Sequence, residues 1–503
     1  MTPRHQRTRS ATRAGVTARL TTGLRRALGG AVLVAALVGV ATALFAQSPA
    51  DRSRPPQLGP VKALSLPPVV KRVLSNGLPV WVVEARETPL VQVNLVIHAG
   101  SGDDPAGRFG VASLTATMLD EGAGARSALQ IADDVEFLGA TLGTNSSFDA
   151  SAVRLNVPVA RLAAALPLMA DVALRPTFPE NELNRLRQDR LTALLQARDD
   201  AAAVAPLAFA RTVFGTAHRY GTGATGTETT LKAFTTAHLK EFHAATYRPG
   251  NATLIVVGDV TTPTLLPLLE KHFGTWRSAG PVRKTPVPTA AQLGAGSVSI
   301  IDMPSAEQSQ IRIGWVGVAR STPDYFALEV LNTILGGSFT SRLNQNLREE
   351  HGYSYGASSR FDMRLSAGSF QAGAGVQTDK TAEALREFFN ELNGILKPVQ
   401  AEELAKAKNY IALGFPSQFE TLGDLSSHLE EMAVYGLPDD HFARYIANVQ
   451  AVTAQAVQQA AARYIQPGKL AVVVVGDRKS IEPGVGALNL APVRIVGIEE
   501  AFQ

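Results

Sequence analysis

YRPGNATLIVVGD (residues 247–259) and YIQPGKLAVVVVGD (residues 464–477) carry one pattern twice: a tyrosine, a Pro-Gly pair, an aliphatic run, then Gly-Asp. A short apolar run bounded by turn residues is a strand buried on both faces, and the Pro-Gly pair separates it from the helix before it. The two glycines that end these runs, Gly258 and Gly476, lie 218 positions apart. The flanking helices recur in the same order, so the chain reads as an internal duplication of roughly 210–220 residues. Two unrelated α/β domains with similar strands are the competing reading.

Upstream of the first run, VLSNGLPVWVVE (residues 73–84) is strand, Asn-Gly turn, strand, the strongest short-range hairpin signal. LVQVNLVIHAG (residues 90–100) alternates and ends in glycine, another strand. Helical spacing follows at 108–124, then at about 127–138, 159–174 and 180–214, and again at 262–274. Residues 278–297 are rich in Pro, Gly and Ala without periodicity and form a linker. Beyond it come a strand at 310–318, a helix at 324–335, and a helix containing Arg342–Glu350. Strands around 353–360 and 366–376 and helices at 380–396 and 400–414 complete the pattern. The expected segments are 1–46, 47–67 (flexible), 68–277, 278–297 and 298–490.

The 503 residues are 45% hydrophobic and 18% charged, which supports folded cores of ordinary size. The net charge of +4 is misleading, because residues 1–46 hold seven arginines and no acid; the remainder carries −3. Nucleic-acid binding thereby loses its compositional support. The Arg-rich start, the apolar run at 28–46 and the polar, Pro-containing stretch after it have the layout of a secretory signal. Export to the periplasm or another extracytoplasmic space is expected. At 19 residues the run is also long enough for an uncleaved membrane anchor, and the acid-free start shares features with a mitochondrial presequence.

No cysteine is present, so disulfides, thiolate metal ligands and cysteine nucleophiles are excluded. A helical zinc-hydrolase motif needs two histidines four residues apart, so that both rings share one face. None of the nine histidines makes such a pair. His238 and His243 are five apart, which turns the second ring roughly 140° away from the first. A serine-hydrolase elbow is absent from the globular part, as is a phosphate-binding loop.

The order of elements, the NGL hairpin and the repeated Tyr–Pro-Gly–Gly-Asp strand resemble the pitrilysin/insulinase-like zinc metallopeptidases over roughly residues 68–490. The likeness is greatest to the two-halved subunits typified by mitochondrial processing peptidase. The resemblance implies an α+β fold of two homologous halves, each a mostly antiparallel β-sheet packed with α-helices. Active members carry His-x-x-Glu-His within a G-x-A-H-x-x-E-H-M-x-x-x-G frame. The matching stretch is GVASLTATMLDEGAG (residues 110–124). Gly110, Ala112, Met118 and Gly122 keep the frame. Ser113 and Thr117 stand at the two histidine positions, Ala116 at the general base, and Leu194 where the third ligand, a glutamate, is expected. Asp120 and Glu121, nearby, read as the end of an amphipathic helix. The implication is that this chain holds no zinc itself and that the metal belongs to a partner.

The second half holds GGSFTSRLNQNLREEHGYSYGASS (residues 336–359), similar to a family stretch in which an arginine and a tyrosine seven residues apart contact substrate. Arg348 and Tyr355 stand at that spacing, and in two-subunit members the pair comes from the subunit lacking the metal. A guanidinium offers fixed donors to a peptide carbonyl, and a phenol can stabilise an oxyanion. Helix-face ion pairing of Arg348 and strand packing of Tyr355 are the structural alternative. The implied function is a non-catalytic subunit that lends substrate contacts and half of a peptide chamber to a zinc-bearing homologue. A catalytically inactive structural or peptide-binding scaffold of the same fold is the alternative.

Overall fold

The computed structural model describes Gly59, residues 64–277 and residues 287–502. The Arg-rich start, the apolar run at 28–46 and part of the expected linker lie outside the described residues.

The hairpin forms where the Asn-Gly pair requires it. β1 (Val70–Val73) pairs antiparallel with β2 (Pro79–Glu84), and Gly77 takes a φ of +86°, a conformation open to glycine at no steric cost. β3 (Leu90–Ile97), β4 (Thr141–Ser146), β5 (Ser151–Pro158) and β6 (Ala252–Gly258) complete a six-stranded sheet in the order β1-β2-β6-β3-β5-β4. Every neighbour is antiparallel except β2–β6. The strand that opened the reading, β6, is buried along its whole length, as its unbroken apolar run demands.

The second sheet comprises β7 (Ser297–Asp302), β8 (Gln308–Val316), β9 (Ser354–Phe361), β10 (Ser369–Gln377), β11 (Ala471–Gly476) and β12 (Val493–Val496). Its order is β9-β10-β8-β11-β7-β12. Apart from the last strand this repeats the first sheet: β7 stands for β2, β8 for β3, β9 for β4, β10 for β5 and β11 for β6. The place of β1 goes to β12, which runs parallel to β7.

The helices repeat as well. α1 (Val111–Thr117), α2 (Leu162–Leu174), α3 (Glu180–Ala197) and α4 (Ala201–Phe214) correspond in order to α5 (Tyr325–Leu335), α6 (Thr381–Gly394), α7 (Ala401–Gly414) and α8 (Leu422–Tyr435). The fourth helix of each set crosses over. Val204, Ala205, Ala208 and Phe209 of α4 pack on Ile301, Val473 and Val475 of the second sheet. Leu425, Leu429 and Met432 of α8 join a core that contains Val83, Ile255 and Val257 of the first. Each sheet is thus covered on one face by the other half's helix. That exchange buries apolar faces that neither half covers alone.

Several expected boundaries change. β4 and β5 were not anticipated; TLGTNS is an edge strand whose Gly, Thr, Asn and Ser content reads as loop. The helix expected over 180–214 is two helices, interrupted at Arg198–Asp200, with the Asp200 side chain accepting from the Ala202 N–H to cap the second. The helix expected over 108–124 is only α1. Leu64 and Leu66, within the segment expected to be flexible, pack against the large core that includes the second half. The second half also continues past 490, since β12 belongs to its sheet and residues 498–502 form a helix whose Phe502 packs against α4.

Candidate functional site

α1 is short and firmly anchored. Gly110 begins it at φ +98°, and a Cβ there would meet the Thr225 carbonyl oxygen at 2.5 Å, so only glycine fits. Asp104 is buried beside it. Its carboxylate accepts hydrogen bonds from the Gly110 N–H at 2.6 Å and the Ala112 N–H at 2.9 Å, satisfying two free donors of the first turn. Burial outweighs these donors and pushes the Asp104 carboxyl up to about 7.

Ser113, Ala116 and Thr117 come next on this helix. Ala116 is fully buried, and the Thr117 hydroxyl donates to the Ser113 carbonyl at 3.0 Å. The residue that meets them from α3 is Arg190. Its guanidinium donates to Thr117 Oγ1 at 2.8 Å, to the Ser113 carbonyl at 3.1 Å and to Ser113 Oγ at 3.2 Å. Leu194, the position expected to face this frame, lies one turn further along α3 and packs among apolar side chains. Arg190 has no acidic partner among the described residues. Its Nη1 is buried with no hydrogen-bond partner, and burial lowers the guanidinium to about 10.

This arrangement does not fit a zinc ion. Zinc takes imidazole, thiolate or carboxylate donors at about 2.0–2.3 Å, whereas the four positions offer two hydroxyls, a methyl and an isobutyl group, with a cation seated between the hydroxyls. Of the neighbouring acids, Glu121 is bound by Arg185 at 2.6 Å, while burial raises Asp120. Among the described residues no group of three or more His, Asp or Glu side chains is placed to hold a metal. Arg190 was missed in the sequence because spacing pointed to Leu194. The signal was present four residues earlier: an arginine on the same face of the same helix.

The second half places Arg348 and Tyr355 together. The chain enters through Gly336, where a Cβ would lie 2.3 Å from the Ser359 N–H nitrogen, and passes into a turn of π-helix at Gln345–Glu350. Such turns break regular side-chain register and recur at functional sites. Arg348 Nη1 donates to the Tyr355 carbonyl at 3.1 Å; the guanidinium also meets Glu349 at 3.2 Å and lies 4.7 Å from the centre of the Phe339 ring. The Tyr355 ring is not packed in the strand: the residue is 88% exposed, and Phe339 is exposed as well. Among the described residues, no hydrogen bond, ion pair or ring contact joins this group to Arg190.

Two family profiles match the chain. One is described as Insulinase (Peptidase family M16), over residues 80–217, and the other as Peptidase M16 inactive domain, over residues 233–411. Together they span more than half of the 503 residues. The chain belongs to the insulinase-like M16 peptidase family. Similar proteins include an uncharacterized zinc protease of Mycobacterium leprae, 26% identical over 69% of this chain and 77% of its own length. Another, from Streptomyces coelicolor, is 25% identical over 76% of this chain and 84% of its own. Among solved M16 structures, a peptidase M16 inactive domain from Pseudomonas fluorescens has a TM-score of 0.76 at 28% identity, covering 81% of this chain and 98% of that one. A protease from Helicobacter pylori, with a TM-score of 0.76 at 22% identity over 82% of this chain and all of its own, shares the fold.

Proposed function

We propose that this M16 chain is an exported, non-catalytic subunit of a heteromeric peptidase. In this reading it supplies substrate contacts and part of the peptide chamber to a homologue that carries the zinc. The single observation that carries the reading is the state of the Arg348–Tyr355 pair. The arginine is held by the Tyr355 carbonyl, which leaves the phenol free at the surface to meet a peptide. A tyrosine kept only for packing would be buried. The seating of Arg190 between Ser113 and Thr117 supports the other part of the reading, that the metal is bound elsewhere.

Within the complex the roles divide by chemistry. Arg348 would hold a substrate carbonyl through its remaining N–H groups, and the Tyr355 hydroxyl would donate to the oxygen on which charge develops during cleavage. β9, which carries Tyr355, is the edge strand of its sheet, and its Ala357 and Ser359 N–H groups are taken by Asn344 and Gly336, so a substrate would meet this strand through side chains rather than by adding a strand to it.

Co-expression of the full chain with a homologue bearing His-x-x-Glu-His tests the proposal. Expected are a stable complex and peptide cleavage by the complex. Absence of a complex, or full activity in a complex carrying Arg348→Ala with Tyr355→Phe, would overturn it. The inactive scaffold reading then takes its place.

A further inference from the structure

The two crossing helices are not equivalent in charge, and the difference exposes a site. On the first sheet Arg154 of β5 lies beside Asn94 of β3. Glu430 of α8 neutralises it, accepting from Arg154 Nε at 2.8 Å and from Asn94 Nδ2 at 2.6 Å. Glu430 stands six residues before Gly436, the glycine that ends α8. The residue six before Gly215, which ends α4, is Phe209. Phe209 is 2% exposed and packs on Val473 and Val475. The second sheet therefore receives an apolar ring where the first receives a carboxylate.

The second sheet nevertheless carries arginines on that face. Arg312 of β8 occupies the place of Asn94 and shares its face with Val473, its direct partner on β11. On the other side its partner is Gly373 of β10, which is paired in turn with Ser358 of β9. One rung along, Arg360 is paired with Gln371. Glycines at 356, 373 and 375 remove the side chains that would fill the space. What remains is a polar hollow of about 360 Å³, lined by Arg312, Arg360, Gln310, Ser358, Gln371 and Pro206 of α4.

Among the described residues neither cation has a counter-charge. Arg312 donates only to Gln310 Oε1 at 3.3 Å and to the adjacent Ile311 carbonyl at 2.8 Å. Arg360 makes no hydrogen bond or ion pair among the described residues. The Arg312 guanidinium is depressed by burial and by the neighbouring Arg360 charge, so an anion entering the hollow would relieve both effects. Two forked donors beside amide and hydroxyl groups suit a carboxylate.

We infer that this hollow binds a carboxylate of a peptide ligand, either an acidic side chain or a free C-terminus. A peptide is favoured because the hollow borders edge strand β9, on which Arg360 lies five residues beyond Tyr355. A bulge between Ser354 and Ala357 takes up one residue, so at about 3.3 Å per residue the separation is roughly 13 Å, the length of about four extended residues. The inference deepens the subunit proposal and rests on its reading of Tyr355 as a peptide contact.

Binding to the isolated full chain tests it without any cleavage. The probes are a fluorescent ten-residue Ala/Ser/Gly peptide with two central glutamates and a free C-terminus, its Glu→Gln counterpart, its C-terminally amidated form, and inorganic phosphate as competitor. The acidic peptide is expected to bind on the order of tenfold tighter than the counterpart lacking the recognised carboxylate, the Glu→Gln form for a side chain or the amidated form for a terminus. That preference should vanish in Arg312→Gln/Arg360→Gln and shrink in Arg360→Gln alone, a change at an exposed position that leaves the core intact. Which peptide loses affinity distinguishes side-chain from terminal carboxylate. Affinity that neither Glu→Gln nor C-terminal amidation lowers, a preference that survives the double variant, or saturation by phosphate with no peptide binding overturns the inference. If it fails while Arg348→Ala/Tyr355→Phe still abolishes cleavage in the complex, the subunit proposal stands alone.

Discussion

Thr117 accepts a 2.8 Å hydrogen bond from the guanidinium of Arg190, which also donates to Ser113 Oγ at 3.2 Å and so fixes an organic cation between the two residues that the family resemblance sets at the histidine positions. A metal dication and a guanidinium cannot share that space. Restoring the motif by Ser113→His, Ala116→Glu, Thr117→His and Leu194→Glu should therefore give weak zinc binding while Arg190 remains. Adding Arg190→Ala should tighten it at least tenfold, since a like charge a few ångströms away repels the ion. Isothermal titration with zinc reads the comparison; equal affinities would show that Arg190 does not block the site.

Removing one partner of the inter-half network should be costly. Among the described residues, Glu430→Ala removes the only carboxylate of Arg154, which keeps Asn145, and one of the two acceptors of Asn94, which keeps Ser426, at a partly buried contact. A loss of about 2–4 kcal/mol in unfolding free energy is expected. Glu430→Ala with Arg154→Met should recover part of it, because the unpaired charge is then gone. Urea unfolding of the four proteins of the cycle measures the coupling, which should exceed about 1 kcal/mol.

Asp104 should give the stability a pH dependence. Burial raises its folded-state carboxyl to about 7, well above the ordinary 3.8, so between those values the folded protein holds a proton that the unfolded chain releases. Its contribution is fully present below about pH 4 and declines as pH rises towards 7. The melting temperature of the wild type relative to that of Asp104→Asn should fall over that interval. A wild type that instead gains on Asp104→Asn from pH 4.5 to 7.5 would mean that the two N–H donors of α1 dominate.

In the reconstituted complex, the two surface residues should separate kinetically. Tyr355→Phe removes only the hydroxyl, and a donor that serves the transition state should lower kcat by about 10²–10³-fold. Arg348→Ala should mainly raise KM, because a carbonyl contact is made already in the bound substrate. Steady-state cleavage of one peptide by each variant complex distinguishes these effects.

A good part of this was legible in the chain. The repeated strand ending in Gly258 and Gly476 announced two halves, and the structure sets both strands at the same place in their sheets. The Asn76-Gly77 hairpin followed from local turn chemistry, and the absence of a histidine pair from residue identity alone. β4 was not legible, because an edge strand with a polar outer face lacks the apolar run that marks a buried one.

What the amino-acid order by itself determined is local or periodic: which segments become strands and helices, that the set occurs twice, and which ligand types are missing. Tertiary structure alone decided which distant residues meet. Arg190 rather than Leu194 reaches Ser113 and Thr117 because helix packing sets which turn of α3 faces α1. The Arg312–Arg360 hollow exists because α4 crosses between halves and brings Phe209 where α8 brings Glu430. Neither meeting follows from spacing, since helix crossing and strand register arise from side-chain interlock across segments far apart in the chain.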